Sequence, residues 1–109
     1  MPAINFDDVF NTLKQGVIDL AMTTGVQFAK QAESDGQTFL NDSKQNLQNW
    51  TDELCHGKLS KDDFTDLLLG QKDLFALTAL KQAGYGEIAA DNFKTGVFDL
   101  IQKTVLSLI

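Results

Sequence analysis

Residues 4–54, INFDDVFNTLKQGVIDLAMTTGVQFAKQAESDGQTFLNDSKQNLQNWTDEL, decide the fold of this chain. The stretch holds no proline. One stripe runs through it at steps of three and four: Phe6, Phe10, Leu13, Val17, Leu20, Thr24, Phe28 and Ala32, then Phe39, Leu47, Trp50 and Leu54. That spacing is the signature of a helix with one apolar face. It predicts a single amphipathic helix over about residues 5–54, opened by Asn5 or Asp7 as a cap, with Asp7 and Asp8 at the positive end of its dipole.

Gly16, Gly25 and Gly36 interrupt the stretch. Each costs a helix interior about 1 kcal/mol relative to alanine. One reading makes them tolerated defects or bends. The other looks at their neighbours: Ala21, Gly25, Ala29, Ala32 and Gly36 form a ridge of small residues, with Phe28 beside it, that lets a second helix approach closely.

Downstream, Gly57 suits the left-handed position just past a helix end. Ser60 through Asp63 resembles a capping box, and Leu59 with Phe64 suits a hydrophobic staple. A second helix is therefore expected over about residues 61–83, with Gly70 as its weak point, closed by Gly84-Tyr85-Gly86. A third is expected over about residues 88–109, with Asp91 as its cap and Phe93, Val97, Leu100, Ile101, Val105, Leu108 and Ile109 on its apolar surface. No segment alternates at a period of two, so the expected fold is all-α, with a helical hairpin at the C-terminal end of the long helix and one domain over residues 1–109.

Length sharpens that expectation. An unbroken first helix spans about 75 Å at 1.5 Å per residue, and the two later helices about 35 Å each. The hairpin covers only half of the long stripe, and an apolar patch that large is rare on a monomer. Either the helix breaks near Gly25 or Gly36 to give a compact four-helix bundle, or it stays whole and a second copy completes the bundle. The sequence reading favours the dimer, crossing at Ala21, Gly25, Phe28, Ala29, Ala32 and Gly36, because two-fold pairing is the commonest assembly.

Composition narrows the function classes. The 109 residues carry 15 acids against nine basic residues, for a net charge of −6, and every basic residue is lysine. Nucleic-acid recognition leans on arginine forks and a basic face, so no nucleic-acid partner is expected. Residues 1–54 hold eight acids and three lysines, which disfavours an anionic membrane surface. No secretion signal and no membrane span are read from the sequence, and one cysteine makes no internal disulfide. A cytoplasmic protein is expected.

No pattern carries catalysis. Cys55-His56 is a reactive-looking pair, but adjacent helix residues do not face each other, and no second cysteine or histidine completes a metal site. Gly84-Tyr85-Gly86-Glu87-Ile88-Ala89 matches a dinucleotide-binding glycine pattern without the strand that motif needs. Asp62 and Asp63 lack calcium-loop spacing. Asn41-Asp42-Ser43 and Asn49-Trp50-Thr51 match the glycosylation sequon inside a helical pattern. No catalytic residue, cofactor or metal is expected. The leading expectation is a non-catalytic interaction protein (adaptor, scaffold or small regulator) that partners itself and possibly another protein. The alternatives are an amphipathic coat on lipid or another apolar surface, with Phe6, Phe10, Phe28 and Phe39 on one face, and a small-molecule binder with a pocket near Trp50, Cys55, His56 and Tyr85.

Overall fold

The computed structural model describes residues 5–108. Ile4 and Ile109, the ends of the expected first and third helices, lie outside them. Among the described residues the chain is all-helical: α1 (Phe6–Met22), α2 (Ala29–Cys55), α3 (Lys61–Gly70), a 3-10 turn (Lys72–Leu74), α4 (Thr78–Gln82) and α5 (Glu87–Leu106).

The single helix expected over residues 5–54 is therefore two helices. α1 opens on Asn5, whose side chain accepts from the Asp7 amide at 3.0 Å. It closes on Thr23 and Thr24, whose hydroxyls donate to the carbonyls of Leu20 and Ala21, each at 2.6 Å. Such back-bonding competes with helix continuation. Gly25 then takes φ +103°, a region closed to other residues except at a strain cost. The amides of Phe28 and Ala29 already bond to the Gly25 carbonyl at 3.1 and 3.0 Å, so helical turns resume at once. The reversal thus hangs on one glycine and two threonines. The molecule folds to 45 × 23 × 19 Å, with a radius of gyration of 14.1 Å.

Gly36, the other expected break, lies inside α2 and lets α1 come close. A Cβ on Gly36 would sit 2.4 Å from Val17 Cγ1. Gln37 Nε2 bonds to the Lys14 carbonyl at 3.1 Å one turn away and fixes the register of the pair. α5 meets α1 in the same manner: a Cβ on Gly16 would fall 2.6 Å from Leu100, and Leu20 reaches over Gly96 at 3.5 Å. The stripe is thereby covered by the chain itself, with Phe6, Val9, Phe10, Leu13, Val17 and Ala21 of α1 all buried.

The helix expected over residues 61–83 is also interrupted. α3 starts as expected, with Ser60 accepting from the Asp63 amide at 3.0 Å, but ends at Gly70. Phe75 is extended, with ψ 91°. Both Phe75 and Leu77 are buried, and residues two apart cannot share one helix face. Phe75 stacks on Phe39 with ring centres 4.4 Å apart and planes at 4°, and meets Phe98 and Phe93 at 6.1 and 6.4 Å. α4 has no cap of its own. Instead the buried Asp35 carboxylate of α2 accepts from Ala79 N at 3.0 Å and Leu80 N at 2.9 Å, where a negative charge also suits the helix dipole. α5 begins at Glu87 after Gly86, so Asp91 is an exposed residue within the helix and not its cap.

Two outcomes check this packing. Asp35→Ala leaves two amides without their acceptor and should lower unfolding stability by about 1.5–3 kcal/mol, with Asp35→Asn losing less; urea titration of the three chains reads it. Gly36→Val should cost roughly 1–3 kcal/mol through overpacking against Val17. Adding Val17→Ala should return part of that loss, which a double-mutant cycle measures.

Candidate functional site

The residues singled out from the sequence fall into separate places. Ala21, Ala32 and Gly36 of the small ridge are buried between the chain's own helices, Ala29 is half-buried, and Gly25 is exposed at the turn. Phe28 is half-buried against Tyr85, ring centres 4.7 Å apart. In this conformation the ridge packs α1 on α2.

The structure does not bring together Trp50, Cys55, His56 and Tyr85, the residues expected to line a pocket. Trp50 lies edge-on to Phe64 at 6.4 Å, near the C-terminal end of α2, whereas Tyr85 packs on Phe28 at the opposite end of that helix. The 22 steps from Phe28 to Trp50 correspond to about 33 Å of helix. His56 Nδ1 lies 2.7 Å from the Asp52 carbonyl, to which it donates, and so helps close α2. Gly57, at φ +70°, completes that end with Lys58 N bonded to the Glu53 carbonyl at 2.8 Å. Burial and the neighbouring Asp52 carboxylate push the half-buried Cys55 thiol above its ordinary pKa. Gly84-Tyr85-Gly86 is a helix–helix turn with Gly84 at φ +87°. Phe6, Phe10 and Phe39 are buried, so the aromatic face proposed for an apolar surface is turned inward. Among the described residues no three His, Cys, Asp or Glu gather as a metal-binding group, and no helix is long and apolar enough to cross a membrane.

What the structure does gather is an apolar end. The α1–α2 turn and the α4–α5 turn come together there and line a shallow groove of about 210 Å³ with Leu20, Thr23, Thr24, Tyr85, Ala89, Asn92 and Phe93. None of these side chains is charged. Beside the lining residues in the chain, Val26 of the α1–α2 turn is fully exposed, Ile88 in the first turn of α5 is 82% exposed and Met22 at the end of α1 is 68% exposed. Near this end, in the first turn of α2, Gln31 Oε1 is buried with no hydrogen-bond partner among the described residues.

Sequence reasoning did not assemble this end, because it favoured an unbroken helix through Thr23–Phe28 over the break near Gly25 that it also allowed. The signal was present in Thr23-Thr24-Gly25, two side chains that bond back to a helix and a residue that tolerates positive φ. The chain matches no protein-family model, no curated protein and no solved structure.

The raised Cys55 pKa means less thiolate at neutral pH. Maleimide labelling near pH 7 should therefore run slower than for a free cysteine, since the thiolate is the nucleophile. Asp52→Asn should speed it by removing a charge that opposes ionisation; stopped-flow rates across pH check both.

Proposed function

We propose that this protein is a non-catalytic helical interaction module that works as a homo-oligomer. The observation that carries the reading is the exposure of Val26, Ile88 and Met22, chain neighbours of the residues that line an uncharged groove, on a chain of net charge −6. Exposed apolar surface of this kind favours contact with another protein. A second copy fits it, because two such ends meet across a two-fold axis without setting charged groove linings against each other. The side chains best suited to chemistry also have structural work in this fold. Asp35 holds α4, His56 closes α2, and Asn5 and Ser60 open their helices.

The test is the solution mass by light scattering from micromolar to about millimolar protein. Self-association should raise it above the 12.0 kDa of one chain. Val26→Asp combined with Ile88→Asp should weaken association about tenfold or more, as loss of a central contact does, and leave the melting temperature nearly unchanged because both side chains are exposed. A mass fixed at one chain over the whole range removes the reading.

A further inference from the structure

The α1–α2 hairpin pairs its residues in an antiparallel register. Val17 packs on Gly36. Stepping four residues along each antiparallel helix sets Ala21 opposite Ala32, and four more set Gly25 opposite Phe28. The centre of that pairing falls between Val26 and Gln27, inside the turn. The same pairs formed between two copies would place a two-fold axis at that centre, with Val17 of each copy on Gly36 of the other. The apolar stripe runs without a change of phase from Val17 through Leu20, Thr24 and Phe28 to Ala32. The short turn alone stops the helix, through φ +103° at Gly25 and the hydroxyl bonds of Thr23 and Thr24.

We infer that the protein self-associates by exchanging α1: the turn at Gly25 straightens, residues 6–55 become one helix, and each α1 packs on the α2 and α5 of a second copy. The inference rests on the self-association proposed above and names its route. Exchange remakes every contact of α1 between chains, with Val17 on Gly36, Gly16 on Leu100 and Leu20 on Gly96, and needs no new core. What is given up is local: the positive φ of Gly25 and the turn around it. What is gained is helical continuity over Thr23–Phe28, together with apposition of the two apolar ends that carry Val26 and Ile88.

The hinge and the route can be read apart. Gly25→Ala penalises positive φ and favours helix, shifting each hinge toward the straight form by about tenfold. A dimer holds two hinges, so its dissociation constant should fall roughly a hundredfold. The route is read by a cysteine pair, Val17→Cys with Gly36→Cys, in a Cys55→Ser background. A Cβ at position 36 lies 3.7 Å from Val17 Cβ, within the range for a disulfide. Oxidised monomer should carry the bond within one chain, and exchanged dimer should carry it between chains and run as a dimer on a denaturing, non-reducing gel. The pair should also give interchain bonds with the hinge unaltered, when the chain is unfolded and refolded at high concentration, so the test does not depend on Gly25→Ala folding.

Dimers by light scattering whose oxidised chains all run as monomers would overturn exchange and leave self-association standing. A single-chain mass for the unaltered chain and for Gly25→Ala at every concentration would overturn both. Interchain bonds rising with the dimer fraction, and rising further in Gly25→Ala, are the expected result.

Discussion

The reversal at Gly25 is the constraint on which the rest of the fold depends. An unbroken first helix would be about 75 Å long, against a longest dimension of 45 Å for the folded chain. By turning there, α2 presents its stripe to α1, and α5 lies across α1 through the Gly16–Leu100 and Leu20–Gly96 contacts. The hydroxyls of Thr23 and Thr24 take part in stopping the helix, but the change of direction needs a residue that tolerates φ +103°. Small residues in this chain consequently do two kinds of work. Gly25 sets a dihedral angle, whereas Gly16 and Gly36 set the distance between helices.

The second half of the chain obeys a different rule. Its architecture is governed by the aromatic cluster of Phe39, Phe75, Phe93 and Phe98, in which Phe75 is the common member. Burying Phe75 and Leu77 together requires extended backbone, and that divides what would otherwise be one helix into α3 and α4. Asp35 accommodates the division by accepting the amides that the restarted helix leaves open. A charged group in the interior is thus explained by a break in another element.

These two rules explain what could be read from the sequence. Helical class, the Ser60 cap, the Gly57 stop and the faces buried by Leu13, Phe64 and Val97 come from local periodicity and capping, and local patterns report them well. The turn at Gly25 was equally local, but the stripe passes straight through it, and periodicity outweighed the Thr-Thr-Gly signal. The break after Gly70 had only the weak signal of the glycine itself, because what holds the chain extended beyond it is Phe39 and Asp35, residues more than thirty positions upstream. The apolar end was hidden for the same reason: Thr24 and Tyr85 meet only once both turns are in place.

The capping of α4 by Asp35 also makes one segment dependent on a distant one. α4 has five residues, far too few to hold helical structure alone, since a helix nucleus is costly and short helices gain little from propagation. Its start is held by a carboxylate 44 residues earlier in the chain. Residues 72–82 therefore depend for their conformation on α2, through the Asp35 carboxylate and the stacking of Phe39 on Phe75. A change in α2 that displaced either side chain would reach α4 without touching any residue of it.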